Sequence, residues 1–207
     1  MKQIYFSGGS LILPDRIVAE GALLVERGKI VAVGRAAQIP CPAGAERVEA
    51  GGGFIGPGYV DLHVHGGAGA DFMDGTVEAW QTVLRAHARH GTTSCTPTTT
   101  VAPFAQILAA LDLAVAGVAE RGFALWNGVP GVRILGAHFY GPYFAPGAEG
   151  CHPSVALRPP VPEEYAAFLQ RSEAIASATV APELLGAEAF SRAIVERGIC
   201  LNLGHTN

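Results

Sequence analysis

Residues 58–67 read Gly-Tyr-Val-Asp-Leu-His-Val-His-Gly-Gly, an apolar run that ends in two histidines one position apart. We interpret this run as a β-strand, in which side chains at positions i and i+2 point to the same face. His63 and His65 would then converge, while Leu62 and Val64 face the opposite way into packing. Because neutral imidazoles are common ligands of divalent ions, the pattern predicts two metal ligands at the end of a buried strand. An exposed strand with two surface histidines is the alternative.

The composition of the 207-residue chain is typical of a globular protein, with 49% hydrophobic and 15% charged residues. The formal net charge of -4 argues against nucleic acid or an anionic membrane surface as a partner. No apolar run reaches the roughly 18 residues of a membrane helix, and no signal-peptide pattern is present near Met1. The four cysteines have no paired spacing, which indicates free thiols and predicts a cytoplasmic location.

Two regions with different patterns follow one another along the chain. Residues 1–56 contain short β-type runs separated by turn residues, including a hairpin turn at 26–29, and predict a small N-terminal β unit with a packing role. From residue 57 onward, strand patterns alternate with amphipathic helix patterns, which is typical of parallel strands covered by outer helices. The predicted domains are therefore 1–56 and 57–207.

The second region contains five predicted strand–helix units, with strands that end near residues 65, 100, 140, 181 and 204. Barrels of eight such units carry their functional side chains at the carboxyl ends of the strands. The candidate residues follow that rule: His63, His65, His138, Tyr140 and His205 all lie at or after strand ends. We therefore predict an α/β fold with an incomplete TIM-like (β/α)8 barrel, preceded by a small β-sandwich part.

A barrel of this class needs eight strands and about 250 residues, and the pattern accounts for about five strands. We expect the chain to be the N-terminal portion of a longer protein. The alternative is a complete open sheet of five strands, whose last strand would be an unpaired apolar edge of the kind that soluble proteins avoid.

Five further stretches lie in a characteristic order after the histidine pair. They are Gly-Thr-Thr-Ser-Cys-Thr-Pro-Thr at 91–98, Gly-Ala-His-Phe-Tyr-Gly-Pro-Tyr-Phe at 136–144, Gly-Cys-His-Pro at 150–153, Val-Ala-Pro-Glu at 180–183 and Leu-Gly-His-Thr-Asn at 203–207. Together with residues 57–66 they resemble the amidohydrolase superfamily and, within it, the N-acetylglucosamine-6-phosphate deacetylases. The histidine pair alone marks the superfamily, and the motifs on the third and fifth predicted strands narrow the resemblance to the deacetylases.

The resemblance implies a metal-dependent hydrolase that removes the acetyl group from N-acetylglucosamine 6-phosphate, a small amino-sugar phosphate. It implies one or two divalent ions, zinc in the first place, with Fe, Co or Mn also permitted by nitrogen ligands. Such an ion polarises the acetamide carbonyl and lowers the pKa of its bound water toward about 7. By their positions in the motifs, His63, His65 and His205 would be metal ligands, and His152 would contact the substrate. In the family that contact sometimes crosses a dimer interface, so we expect a homodimer at full length.

Two departures from the family pattern affect this reading. The third-strand motif of the family is similar to His-x-Glu-Gly-Pro, with the glutamate as a metal ligand, whereas this chain has Tyr140 there. Tyr140 could ligate as a phenolate, donate a hydrogen bond to bound water, or mark a site that has lost its ion, since a phenol with a pKa of about 10 replaces a carboxylate poorly. The catalytic aspartate and a later histidine ligand belong beyond residue 207. No catalytic residue is therefore predicted within the chain, which we expect to be inactive alone.

Some roles and functions stay open at this level. His138 would contact substrate, orient a ligand histidine, or simply be a packed core histidine. Glu183 would touch the site or cap a strand end, while His87 and His90 are read as solvated helix residues. One alternative function is an amidohydrolase acting on another amide, such as a cyclic amide or an N-acyl amino acid. A second alternative, supported by Tyr140, is a catalytically degraded binding or regulatory homologue.

Overall fold

The structure is a computed structural model that describes residues 3–120, 124–126 and 129–207. The chain forms two compact units that divide between Pro57 and Gly58. Within the described ranges, no helix has both the length and the apolar character needed to cross a membrane.

The first unit is a five-stranded sheet. Its strands are β1 (Gln3–Ile12), β2 (Ile17–Glu26), β3 (Lys29–Arg35), β4 (Glu46–Glu49) and β5 (Phe54–Ile55). The first three strands are antiparallel neighbours, and β4 and β5 both pair with β1 in parallel. Strand β1 is continuous, with a register irregularity on each side of Gly9 where it pairs with β2. In the described part of this unit all strands belong to one sheet.

The predicted hairpin turn between β2 and β3 is confirmed. Glu26 pairs with Lys29, and the two residues between them, Arg27 and Gly28, have φ angles of 51° and 74°. Positive φ at both central positions is the conformation that suits the twist of a two-residue hairpin. Close by in the same unit, a small core contains Tyr5, whose hydroxyl donates to the Ile39 carbonyl oxygen at 2.9 Å.

The second unit alternates strands with helices, which confirms the predicted α/β character. Its strands are β6 (Tyr59–Val64), β7 (Gly66–Gly67), β8 (Ala70–Asp71), β9 (Thr92–Pro97), β10 (Ala124–Trp126), β11 (Val129–Pro130), β12 (Arg133–Ile134), β13 (Ala137–Tyr140), β14 (Ile175–Val180) and β15 (Cys200–Leu203). Its helices are α1 (Val77–Ala88), α2 (Phe104–Ala119), α3 (Pro162–Leu169) and α4 (Ala187–Glu196). Short 3-10 turns at Phe72–Asp74, Ser154–Ala156 and Ser172–Ala174 connect them.

The third predicted strand, residues 134–140, is not continuous. Its first part, β12, pairs in parallel with β9, whereas its second part, β13, pairs in parallel with β14. The break falls at Gly136, whose φ of 126° disfavours any other residue and whose absent Cβ would lie 2.9 Å from the Ala176 nitrogen. A chain without a side chain at this point can change sheets while passing close to its neighbour.

The break produces two three-stranded parallel sheets, β6-β9-β12 and β13-β14-β15. A single parallel bridge between Thr98 and His138 joins them, and the Thr99 nitrogen donates to the His138 carbonyl oxygen at 3.1 Å. The strands therefore follow one another in space in their chain order, and their carboxyl ends lie side by side.

The core of the second unit lies between these strands and the helices. An aromatic cluster of Phe139, Tyr143, Phe168 and Phe190 fills it behind β13, with neighbouring ring centroids 5.0–6.0 Å apart. All four side chains are buried. Because Phe139 alternates with His138 and Tyr140 along β13, this packing turns the two polar residues toward the opposite face.

The prediction that Leu62 and Val64 pack together behind the histidines is wrong for Leu62. The side chain of Val64 is 7% exposed, but that of Leu62 is 62% exposed. Tyr59 and Val60 on the same strand are also exposed. The pairing of β6 with β9 is irregular between Asp61 and Val64, so the simple alternation of faces fails there. Among the described strands, β6 lies at the edge of its sheet and is not the buried strand that its composition suggested.

Candidate functional site

The structure brings all six sequence-predicted site residues into one cluster at the carboxyl ends of the strands. The closest ring pairs are His63 with Tyr140 at 4.6 Å, His63 with His65 at 4.8 Å and Tyr140 with His205 at 5.0 Å. His138 lies 5.0 Å from Tyr140, and His152 lies 5.4 Å from His205. Residues that are up to 142 positions apart in sequence (63 and 205) therefore share one site.

His63 and His65 present their Nε2 atoms to the same point, since these atoms lie 3.1 Å apart. Two imidazole nitrogens bound at about 2.0–2.1 Å to one tetrahedral zinc ion would lie about 3.3–3.4 Å apart. His65 Nδ1 donates to the Thr98 carbonyl oxygen at 3.2 Å, so the lone pair of this ring is on Nε2. The two nitrogens therefore fit as neighbouring ligands of a single divalent ion.

His205 is held by the loop that follows β13. Its Nδ1 donates to the Ala148 carbonyl oxygen at 2.7 Å, because a carbonyl can only accept. Its ring stacks on the buried Phe144 with centroids 3.9 Å apart and planes 10° from parallel. The Ala145 nitrogen donates to the His205 carbonyl oxygen at 2.9 Å. These contacts leave the lone pair of His205 on Nε2, as a metal ligand requires.

Tyr140 occupies the space in front of that lone pair, and its hydroxyl contacts His205 Nε2 in a short hydrogen bond. Burial, followed by the proximity of Cys151, raises the pKa of Tyr140 above its ordinary value. The phenol is therefore neutral at pH 7 and is the donor to His205. The hydroxyl thus has a partner in the protein, His205, that none of the three roles predicted for Tyr140 includes.

Within residues 3–120, 124–126 and 129–207, no three His, Cys, Asp or Glu side chains are grouped so as to hold a metal ion. The third member of such a group would be His205, whose Nε2 is directed at the Tyr140 hydroxyl. The donors thus fit a divalent ion as a pair at His63 and His65.

His138 lies directly behind the pair. Its Nδ1 is 3.2 Å from His63 Nδ1, and its Nε2 is 2.8 Å from Thr179 Oγ1. Burial, then the neighbouring His63 and His65, lowers the pKa of His138 to about 4. The pKa values of His63 and His152 are also lowered, in each case first by burial and then by neighbouring histidines. These rings are therefore neutral at pH 7, the state in which imidazole binds metals.

Several residues that hold the site in place carry no sequence signal. In the sequence, Thr98 and Thr179 are simply part of predicted strands. In the structure, Thr98 Oγ1 accepts from the Val64 nitrogen at 3.0 Å, and Thr179 Oγ1 lies within hydrogen-bond distance of His138. Phe144 reads as a core residue. Their roles depend on partners 34–61 positions away, which no local pattern encodes.

The acidic residues near the site organise the backbone. Asp61 accepts from the His63 nitrogen at 3.2 Å. Glu183 accepts from Thr206 Oγ1 at 2.7 Å and from the Asn207 nitrogen at 2.8 Å, so it holds the segment after His205. The hydrogen bond from Thr206, then that from Asn207, lowers the pKa of Glu183. Glu183 therefore holds the loop in place. This is the structural role predicted for it, and not a contact with the site.

His87 corrects a further expectation. It was predicted to be solvated on the outside of α1, but it is only partly exposed, and its Nε2 lies 3.1 Å from the Gly66 carbonyl oxygen. The ring thus packs against the glycine turn that follows the histidine pair. His90 is exposed as predicted.

A cavity of about 610 Å³ adjoins the cluster. Its lining includes His138, Tyr140, Thr179, Asn202 and His205. A concave space of this size with a few convergent polar groups suits a small polar ligand.

No protein-family model matches the chain, but curated proteins do. It is similar to the N-acetylglucosamine-6-phosphate deacetylase of Vibrio furnissii, 37% identical over 152 residues that cover 73% of this chain and 36% of the relative. It is also similar to the N-acetylgalactosamine-6-phosphate deacetylase of Escherichia coli O157:H7, 36% identical over 155 residues that cover 72% and 38%. The human N-acetylglucosamine-6-phosphate deacetylase is 28% identical, covering 96% of this chain and 46% of the relative. The chain spans less than half the length of these relatives.

Solved structures agree with these relatives. The N-acetyl-D-glucosamine-6-phosphate deacetylase of Mycobacterium smegmatis, a mutant in complex with N-acetyl-D-glucosamine-6-phosphate, matches with a TM-score of 0.80 at 26% identity, covering 100% of this chain and 50% of that one. The Pasteurella multocida enzyme of the same name matches with a TM-score of 0.84 at 24% identity, covering 99% of this chain and 51% of that one. This match supports the fold. The resemblance read from the motifs is thereby confirmed.

Acidification is expected to destabilise the protein through His138. Since its pKa is lowered from 6.5 to about 4, the unfolded chain binds a proton between these pH values that the folded chain excludes. The free energy of unfolding therefore falls as the pH falls through that window. In His138→Asn this dependence should be shallower by up to about one proton. Urea denaturation of both proteins in steps between the two pKa values measures the slopes, and equal slopes would contradict the expectation.

Proposed function

We propose that this chain, a homologue of the N-acetylglucosamine-6-phosphate deacetylases of the amidohydrolase superfamily, is the metal-binding part of an amide hydrolase that removes the acetyl group from N-acetylglucosamine 6-phosphate. The observation that carries the proposal is the convergence of His63 and His65, whose Nε2 atoms lie 3.1 Å apart at the carboxyl end of β6. Relatives named for two amino-sugar phosphates support a substrate of this class.

The architecture we infer for the second unit is part of a TIM-like barrel. It is supported by parallel strands that follow one another in chain order and by the TM-score of 0.80 to a deacetylase structure. The N-terminal sheet belongs, in this proposal, to a composite β-sandwich. A cytoplasmic location and a homodimer at full length complete the proposed picture.

The proposed metal ligands are His63 and His65, with His205 as the third. A divalent ion held by neutral imidazoles, zinc in the first place, polarises a carbonyl oxygen and lowers the pKa of a water molecule. The protein's own contribution is to lower the pKa of His63, chiefly by burial, and to keep the lone pairs of His65 and His205 on Nε2. The backbone carbonyls of Thr98 and Ala148 do this for His65 and His205.

His152 is the proposed substrate contact from this chain. It stands on the loop after β13, with its ring 6.0 Å from His65 and 5.4 Å from His205, close enough to meet a substrate held at the cluster. Burial lowers its pKa, so the ring is a neutral hydrogen-bonding group at pH 7. We assign no proton-transferring residue among residues 1–207.

Tyr140 is the proposed hydrogen-bond donor of the site, because its neutral hydroxyl already donates to His205. The same residue favours a second candidate function, a catalytically degraded binding or regulatory homologue. A phenol in place of a carboxylate removes one negative charge that would balance a dication. A hydrolase for another amide remains within the same reaction class and differs only in its substrate.

Zinc binding is expected to depend on the histidine pair. The chain should retain about one zinc ion after dialysis, and His63→Ala or His65→Ala should weaken zinc affinity by about 100-fold or more, since each removes a ligand. Competition with a chromophoric chelator measures the affinity. His90→Ala, which alters an exposed histidine at the end of α1, is the matched control. Unchanged affinity in both pair variants would contradict the proposed site.

Acetate release tests the proposed reaction. We expect the protein encoded by the complete reading frame that contains residues 1–207 to release acetate from N-acetylglucosamine 6-phosphate. A chelator should abolish the release, and added zinc should restore it, because the ion activates both reactants. An enzymatic acetate assay follows the reaction, with unphosphorylated N-acetylglucosamine as the comparison substrate. Full activity of a metal-free protein would rule out the mechanism.

Tyr140 variants separate the two candidate functions. If the hydroxyl has its own role, Tyr140→Phe should lower acetate release by about tenfold in the same full-frame protein while leaving zinc bound. Tyr140→Glu should raise zinc affinity by about tenfold or more, since it adds a charge near the cation, without raising acetate release. Zinc titration and the acetate assay together provide the readout. A large gain in acetate release in Tyr140→Glu would instead indicate a degraded site.

A further inference from the structure

His152, the proposed substrate contact, lies in residues 149–157, which we call the His152 segment. Within this segment the backbone nitrogens of His152, Ala156 and Leu157 donate to carbonyl oxygens three positions earlier in the chain. Hydrogen bonds of this local kind shape a segment but do not tie it to the rest of the protein. The position of His152 therefore depends on how the two ends of the segment are held.

The first end is held by contacts with His205. The Ala145 nitrogen donates to the His205 carbonyl oxygen at 2.9 Å, and the Ala148 carbonyl oxygen accepts from the His205 ring at 2.7 Å. These contacts fix the chain as far as residue 148, just before the His152 segment begins.

Arg158 holds the second end. Its Nη1 donates to the Ala156 carbonyl oxygen at 2.8 Å, within the segment, and to the Ala102 carbonyl oxygen at 3.1 Å, between β9 and α2. Its Nε donates to Glu164 Oε1 on α3 at 2.6 Å. We propose that Arg158 is a positioning residue that fixes the His152 segment and thereby places the His152 ring at the cluster. This inference rests on the proposed function.

Glu164, the acidic partner of Arg158, is itself held in place. Its second carboxylate oxygen, Oε2, accepts from the Tyr143 hydroxyl at 2.9 Å. Tyr143 is buried in the aromatic cluster behind β13, where its ring lies 5.0 Å from that of Phe190. The side chains of Arg158 and Glu164 are 27% and 13% exposed, so water screens this ion pair less than one at the open surface. Glu164 therefore gives the guanidinium of Arg158 a fixed point of attachment.

The chemistry of these contacts suits an arginine. The planar guanidinium holds Nε and Nη1 at a fixed distance from each other, so it binds the carboxylate and the two carbonyl oxygens at the same time. A lysine would bring the same charge on a single nitrogen, which cannot occupy both positions. We therefore expect lysine at position 158 to keep the attraction to Glu164 and to lose part of the hold on the segment.

The His152 ring needs such support because its own contacts with the cluster are ring contacts. Its centroid lies 5.3 Å from that of Phe144 and 5.5 Å from that of Tyr140, both at steep angles. Contacts of this kind are individually weak, so the backbone decides where the ring stands. A displacement of about 1 Å is enough to impair a group that has to meet a substrate.

Double-mutant kinetics test the assignment in the protein encoded by the complete reading frame. Arg158→Met removes the donors and keeps most of the apolar stem. It should raise the KM for N-acetylglucosamine 6-phosphate about tenfold and leave kcat within about twofold, because the lost contact binds substrate and transition state alike. His152→Ala should raise KM by a similar factor, about one hydrogen bond's worth. Added to His152→Ala, Arg158→Met should have no further effect on KM, because the group that it positions is gone. Additive effects would overturn the proposal.

Arg171 offers a matched control variant. Its Nε donates to Asp112 Oδ1 at 2.7 Å and its Nη1 to the Ala167 carbonyl oxygen at 3.0 Å. Arg171→Met thus removes the same kinds of hydrogen bond between α2 and the end of α3, without touching the His152 segment. It should leave KM unchanged. A rise in KM equal to that of Arg158→Met would show a general loss of stability and would overturn the positioning role.

Hydrogen exchange in the 207-residue chain reads the segment without any assay of activity. Arg158→Met should speed amide exchange in residues 149–157 about tenfold, because the segment opens more often. Arg158→Lys should have a smaller effect in the same direction, and Arg171→Met should have none. Mass spectrometry of proteolytic fragments measures the exchange, and circular dichroism checks folding. If Arg158→Met does not fold, Arg158→Lys serves in its place in both experiments.

The two experiments fail in different ways. Unchanged exchange in the Arg158 variants would overturn the proposal even where the wild type releases acetate. A wild type that releases no acetate would overturn the proposed function and with it the role of His152, while the exchange rates still decide whether Arg158 holds the segment.

Discussion

Thr98 is the residue on which the arrangement of the site depends. Its backbone nitrogen donates to the Val64 carbonyl oxygen at 2.9 Å, and its hydroxyl accepts from the Val64 nitrogen at 3.0 Å. Its carbonyl oxygen accepts from His65, and its backbone bridges to His138 on β13. One buried residue thus joins the strand that carries the histidine pair, the strand beside it and the strand that carries Tyr140. Because the two parallel sheets meet through this bridge, it brings the backbones that carry the histidine pair and His138 close together.

The electrostatics of the cluster follow from the burial of neutral groups. Burial lowers the pKa values of His63, His138 and His152 and raises that of Tyr140, so each group is uncharged at pH 7. Neutral imidazoles offer lone pairs to a cation, but a set of imidazoles and a phenol supplies no negative charge. The carboxylate that the related motif carries at position 140 would supply one. The six side chains of the cluster therefore offer nitrogen lone pairs and a phenol but no carboxylate.

Much of the fold was predictable because hydrophobic periodicity and turn residues act locally. The hairpin between β2 and β3, the helices α1 to α4 and the alternation of strands with helices all follow from patterns within about 18 residues. The break between β12 and β13 was not, because it depends on the close approach of Ala176 to Gly136, a contact 40 positions away. The exposure of Leu62 was missed for a similar reason. Alternation predicts opposite faces only for a regular ladder, and the ladder between β6 and β9 is irregular there.

The sequence by itself determined which chemical groups are present and at which strand ends they stand. The spacing of His63 and His65, the tyrosine at position 140 and the histidines at 138, 152 and 205 are all properties of the linear chain, and they are enough to indicate the family. The tertiary structure alone decided what these groups do to one another. Only there does Tyr140 meet the lone pair of His205, and only there do the carbonyl oxygens of Thr98 and Ala148 assign hydrogens to Nδ1 of His65 and His205. The physical reason is that a tautomer depends on the partner a nitrogen meets in space, and these partners come from strands and loops distant in the chain.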